Sequence, residues 1–335
     1  MIAKTASSSS PLMVAAVTRG GSHLSIRWWA VLLVIAAALP FVLSGYRLFQ
    51  CSMVLVYAVA VLGINTLTGY SGQISLGHSG FYAIGAYTAA VLMDKWGVPY
   101  WATIPVAALV TLVSGYLFGM PARRLGGIYL ALATFALGMA TPQLLRYKHF
   151  EPLTGGAQGI VLTKPDPPAW LPLSQDQWLY FFVLLVAVLM FWLAQNMVNG
   201  RMGRAMMAIR DNPIAATSMG VDVAFYKAMS FGVSAMLTGV AGALGAIVIE
   251  LVTPDSLSLW LSITFIVGAV VGGITSISGA LWGGLFIVFV PHAAERVSKA
   301  APGVVYGLLL ILLMFVLPNG IASLGKLLSR YRGAK

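Results

Sequence analysis

The sequence predicts an all-α integral membrane protein of about ten transmembrane helices, with both termini on the cytoplasmic side. Three observations predict it. Of 335 residues, 59% are hydrophobic and only 9% charged, against about 25% charged in a soluble domain. Long uncharged runs separate the charged residues at membrane-spanning lengths. Lysines and arginines gather in alternate connections. This composition excludes a soluble enzyme, a disordered chain and a disulfide scaffold. The single cysteine, Cys51, excludes intrachain disulfides and any multi-cysteine metal site. The net charge of +11 is read as cytoplasmic loop charge, not as a nucleic-acid surface.

The uncharged runs are 28–46, 48–93, 96–122, 125–145, 177–200, 228–249, 256–294 and 300–325. A helix needs about 20 apolar residues to cross about 30 Å of hydrocarbon. The two longest runs, 48–93 and 256–294, therefore hold two crossings each, and the other six hold one. The expected helices lie in 28–45, 49–67, 72–92, 100–119, 127–145, 178–197, 228–250, 256–273, 278–292 and 303–319. The third and ninth are rich in Gly and Ser and are the least regular. Basic residues cluster at Lys4, Arg19 and Arg27, at Arg123 and Arg124, at Arg201, Arg204, Arg210 and Lys227, and at Lys326, Arg330, Arg332 and Lys335. An even number of crossings with the N-terminus inside places all four clusters in the cytoplasm. The chain then divides into a disordered cytoplasmic tail (1–27), a transmembrane domain (28–322) and a basic cytoplasmic tail (323–335). The segment 152–172, with its many Pro and Gly residues, is an ordered outer loop. Helices two to five and seven to ten run in opposite senses, which fits an inverted repeat.

All nine carboxylates fall in loops or near helix ends. A proton-coupled transporter needs an ionisable group at depth, and a membrane protease or metalloenzyme needs Asp, Glu or clustered His. Only His78 lies at depth here. Sodium coupling stays open, because carbonyls and hydroxyls can hold sodium. No Gly-x-x-x-x-Gly-Lys-Ser/Thr loop is present, so ATP would be handled by another chain.

Two segments stand out against this apolar background. The first runs from Asn65 to Gly80 and carries Asn65, Tyr70, Ser71, Gln73, Ser75, Gly77, His78 and Ser79. It concentrates amide, hydroxyl and imidazole groups without one charge, and its glycines permit close packing or a broken helix. Such groups could hydrogen-bond a polar solute along a translocation path. Equally, they could bond to neighbouring backbone and let helices pack, with His78 a satisfied structural histidine.

The second is the loop 199–227. Met202, Ala205, Met206 and Ile209 form one helical stripe, with Arg201, Arg204 and Arg210 off it. Asp211-Asn212-Pro213 interrupts the helix, and Asn212 can cap a second one running from Pro213 to Met219 and ending at Gly220. Two short helices joined at a capped break suit a partner's groove. The competing reading lays an amphipathic helix on the inner leaflet. In the docking reading, Arg210→Glu or a bulky residue at Ala216 would uncouple the machine.

Both segments resemble the M-type permease subunits of branched-chain amino acid ABC transporters. The likeness extends from about residue 45 to residue 322. It includes Leu153-Thr154-Gly155-Gly156, the glycine- and serine-rich turn at 272–279, and Leu317-Pro318-Asn319-Gly320, where the family often has a basic residue in place of Asn319. The resemblance implies the type II importer fold in a bacterial inner membrane and no catalysis by this chain. It makes Gly203, Arg204, Ala208, Ile209, Arg210, Asp211, Ala215, Ala216 and Gly220 the coupling segment that meets a cytoplasmic ATPase, and the Gly69–Gly80 stretch part of the path. It also implies a second related permease, two ATP-binding subunits and a periplasmic solute-binding protein. The chain itself would hold no cofactor. Urea and short-amide permeases share the superfamily, so the solute stays open.

Overall fold

The computed structural model describes residues 26–43, 45–122, 127–168, 171–297, 302–316 and 320–323. The expected N-terminal tail with Lys4 and Arg19, the Arg123–Arg124 pair, Leu317 to Asn319 and the C-terminal basic cluster lie outside those residues.

Each of the ten expected windows contains a helix. In chain order the elements are α1 (Ile26–Val42), α2 (Tyr46–Ile64) continuing into a π-helical turn (Asn65–Tyr70), α3 (His78–Trp96), α4 (Tyr100–Ala122), α5 (Ile128–Leu145) and the short α6 (Glu151–Thr154). There follow β1 (Ile160–Val161), α7 (Gln175–Asn199), α8 (Arg201–Asp211), α9 (Pro213–Ser218), α10 (Val223–Ile249), β2 (Leu251–Val252), α11 (Leu259–Gly272), α12 (Gly279–Val297) and α13 (Pro302–Val316). Among the described residues, five segments are each long and apolar enough to cross a membrane: Tyr46–Tyr70, Tyr100–Pro121, Ile128–Leu145, Gln175–Asn199 and Val223–Ile249. Among the described residues the architecture is all-α apart from one antiparallel pair, β1–β2.

The third helix starts six residues later than the hydropathy suggests, at His78 rather than residue 72. Gly72 sits at φ +70°, a left-handed conformation that does not propagate an α-helix. Residues 72–77 therefore run as irregular backbone between two helices.

Helix α10 is the axis of the bundle. It packs against α2, α3 and α4, and almost every residue from Ser230 to Val248 is buried. A helix that is apolar all round belongs in the interior. Lipid supplies no hydrophobic force between helices, so small residues that let backbones approach dominate such contacts. Gly232, Gly239, Gly242 and Gly245 lie along α10 with interspersed alanines.

At the opposite end from α8 and α9, the loop after α6 is strapped to the bundle. Ile160 pairs with Val252 and Val161 with Leu251. Ser174 and Gln177 form a capping box that starts α7. Lys164 Nζ lies 2.5 Å from Asp176 and 3.5 Å from Glu250, and Arg146 pairs with Asp255. Partial burial alone would depress the Lys164 ammonium, but Asp176 and Glu250 outweigh it and hold the group above the ordinary lysine value. A raised folded-state value means the strap is fully stabilised at neutral pH and loses this contribution only as pH climbs past that point. Lys164→Met is expected to make the strap more open to limited proteolysis at pH 8, with a stability loss of about 0.5–1 kcal/mol. Wild type should converge on the variant only in strong alkali, where the ammonium is lost, and equal cleavage of the two at pH 8 would remove the strap's role.

Candidate functional site: a polar break beside a two-helix knob

The end of α2 passes into the π-helical turn at Asn65, and the backbone is irregular over 72–77 before α3 begins at His78. Asn65, Ser71, Gln73, Ser75, Gly77, His78 and Ser79 are all buried, while Tyr70 is half-buried. The structure brings them together around the first half of α10 and the turn between α11 and α12. Asn65 Nδ2 donates to the carbonyls of Ser276 (3.0 Å) and Gly273 (3.4 Å). The Tyr70 hydroxyl donates to Thr275 O at 3.0 Å. Gln73 Nε2 donates to Ser71 Oγ (2.7 Å) and Ser230 Oγ (2.8 Å). Ser75 Oγ accepts from Gly77 N at 3.4 Å. Ser262 Oγ accepts from Ser79 N at 2.7 Å and donates to Ser79 Oγ at 2.8 Å.

His78 is wholly buried, with Nε2 2.7 Å from Ser234 Oγ. The Ser234 hydroxyl spends its proton on Gly63 O at 2.7 Å. It therefore accepts from the ring, which assigns the proton to Nε2. Removing that hydroxyl takes away the partner of the buried His78 Nε2. Ser234→Ala is expected to cost about 1–3 kcal/mol, read as a lower unfolding midpoint in detergent, and an unchanged midpoint would show the link carries nothing.

Two buried amide oxygens, Asn65 Oδ1 and Gln73 Oε1, receive no hydrogen bond from the described residues. The break thus offers acceptors and hydroxyls in an uncharged setting. None of the nine carboxylates is buried; all lie at partly or fully exposed positions. The chemistry available along the break is hydrogen bonding to a polar solute.

The contribution of α10 and α11 to this site escaped the sequence reading, which confined the site to one segment. Ser230, Ser234 and Ser262 are isolated hydroxyls in apolar runs, and Ser230 and Ser234 stand four apart on one helix face. That spacing was the available signal.

The knob is the second half of the site. Helix α8 buries Gly203, Ala205, Met206 and Ile209 and exposes Arg204, Ala208 and Arg210. Asn212 Oδ1 accepts from Ile214 N and Ala215 N, both at 3.1 Å, capping α9 behind Pro213. Gly220, at φ +82°, ends the knob. Ala216 is buried in this chain, and Ala215 is exposed with Asp211 and Gly220. A bulky residue at Ala216 would therefore disturb the knob itself before any partner. The outward apolar groups are Ile214 (79% exposed) and Met219 (85% exposed), neither of which the sequence pattern had singled out.

The knob touches the break directly. Arg210 Nη1 donates to Gly69 O at 2.8 Å.

Residues 47–317 match the family model described as the permease component of branched-chain amino acid transport systems. The chain belongs to this family. It is 32% identical to the high-affinity branched-chain amino acid transport system permease protein LivM of Salmonella typhimurium over 313 residues, covering 87% of this chain and 73% of that protein. Identity to LivM of Escherichia coli is 31% over the same shares. The permease protein LivH of Salmonella typhimurium is 25% identical, over 79% of this chain and 90% of that one. No solved structure matches the chain. The family is one of transport permeases, and the polar break and the knob both lie within the matched residues.

Proposed function

We propose that this chain is the M-type permease subunit of an ATP-driven importer that carries leucine, isoleucine and valine across a bacterial inner membrane. It works in a bilayer with ten crossings and both termini in the cytoplasm. A second permease, two ATP-binding subunits and a periplasmic binding protein complete the machine. The chain holds no cofactor and catalyses nothing itself; ATP is bound by the partner subunits, and closure of those subunits moves the knob and switches the path between its two faces.

The observation that carries this reading is the uncharged polar break packed against an exposed two-helix knob. The break reaches from Lys227, whose carbonyl takes a 3.5 Å contact from Gln73 Nε2, to Ser234. Ser234 lies 11 residues into the 27-residue α10, about 16 Å from its knob end at 1.5 Å per residue. Irregular backbone at such depth is tolerated only where it is buried in protein or lines a cavity. The 14-residue α11 rises only about 21 Å, so its turn onto α12 meets the break short of full depth. The absence of a buried carboxylate to carry a proton supports a reading in which the work enters from a partner, through the knob.

The test is uptake by the reconstituted assembly in proteoliposomes. ATP inside and binding protein outside should drive labelled leucine in, with urea excluded. Urea uptake in place of leucine would move the chain to the amide branch. Uptake by this chain alone under a sodium gradient would replace the reading with ion coupling.

A further inference from the structure

The geometry points to Arg210 as a positioning residue that links the knob to the polar break through a backbone carbonyl, rather than as a contact for the ATP-binding subunit. This rests on the knob being the ATPase-facing element, as proposed above.

The last carbonyls of any helix lack partners within it, and the π turn Asn65–Tyr70 ends among buried groups. Arg210 Nη1 supplies the missing donor to Gly69 O at 2.8 Å. The rest of the guanidinium is held by its neighbour: Nε and Nη2 each lie 3.0 Å from Asp211 Oδ1. The fork is therefore aimed at the break from a fixed position on α8. The Arg210 stem lies across Gly72, where a Cβ would stand 2.7 Å from Arg210 Cγ. A side chain at that position would push the arginine off.

The same turn is fastened on its far side. A Cβ on Gly69 would fall 2.0 Å from Ile274 O, so the two backbones are in direct contact. Tyr70 and Asn65 bond to the carbonyls of Thr275 and Ser276. The π turn is thus clamped between α8 and the α11–α12 turn. A shift of α8 pulls on Gly69 O, and through it on both walls of the break. A π-helical turn is rare and is found frequently at functional sites, which suits a part that changes pairing as the path switches.

The test compares Arg210→Gln and Arg210→Lys in the full reconstituted transporter, with three readouts: retention of the ATP-binding subunits, ATP hydrolysis, and leucine uptake per ATP hydrolysed. R210Q is expected to keep the subunits and to hydrolyse ATP. Its uptake per ATP should fall roughly tenfold or more, the size expected from one charge-assisted hydrogen bond. R210K, which can still donate to Gly69 O, should recover part of the loss. Unchanged uptake per ATP in R210Q would overturn the assignment. So would loss of the ATP-binding subunits from both variants, which would make Arg210 a docking contact. If R210Q fails to accumulate, R210K alone decides: wild-type uptake per ATP together with weakened subunit retention overturns the link. The underlying reading fails separately, if charged residues at Ile214 and Met219 leave the ATP-binding subunits bound.

Discussion

Replacing Ile214 and Met219 together by aspartate is expected to release the ATP-binding subunits and abolish ATP-driven uptake. These side chains are 79% and 85% exposed, on and immediately after a helix held at its start by the Asn212 cap. An exposed branched or thioether side chain gains about 1.5–3 kcal/mol when a partner buries it. Losing two such anchors and adding two charges that would have to be desolvated removes roughly 4–6 kcal/mol of docking energy. Every 1.4 kcal/mol is tenfold in affinity, so the complex should fall apart at ordinary concentrations. The knob itself should survive, because its own packing uses Ala205, Met206, Ile209 and Ala216. The measurement is co-purification of the ATP-binding subunits with tagged permease, paired with the permease's own elution volume. A double variant that elutes as folded protein and still retains the subunits would end the docking assignment. Arg204→Ala, whose Nη1 caps Asn199 O at 3.1 Å from an exposed position, should by contrast change retention little.

How much of this was legible beforehand follows from which forces act locally. Helix positions were readable because hydrophobic length is a local property that the bilayer enforces. The knob was readable for a similar reason: stripe, Asn cap, Pro and Gly all act within one turn of themselves. The start of α3 was misplaced because hydropathy does not register the left-handed turn at Gly72. The composition of the site was only half visible. Asn65 to Ser79 stood out as polar residues in an apolar chain, but their partners on α10 and α11 are set by tertiary packing more than 150 residues away. Which alanine of the Ala215–Ala216 pair faces outward likewise depends on how α9 seats on α8 and α10, and no local signal encodes that.

Gly85→Val is expected to prevent the bundle from assembling, whereas Gly307→Ala should not. A Cβ on Gly85 would stand 2.0 Å from Gly239 O and 2.6 Å from Gly239 Cα. Both atoms are backbone, so no rotamer change relieves the clash, and α3 and α10 must separate. Gly239 is itself pressed by Thr111 of α4, 2.2 Å from where its own Cβ would be. The strain therefore cannot be passed outward. Overpacking ordinarily costs about 1–3 kcal/mol, and contacts between helices in lipid have little else to offset it. The same separation would draw apart His78 and Ser234, which join the two elements by a hydrogen bond of 2.7 Å. Each buried polar group so orphaned adds about 1–3 kcal/mol. The sum rivals the whole stability of a typical domain, about 5–15 kcal/mol. Gly307 meets nothing within 4 Å, so alanine there should be neutral or stabilising by up to about 1 kcal/mol through helix propensity. Detergent-extracted permease, followed by size-exclusion profile and thermal midpoint, separates the two. A Gly85→Val protein that elutes and melts like wild type would mean that α3 and α10 do not touch at this crossing, and the polar break would lose the wall on which its geometry depends.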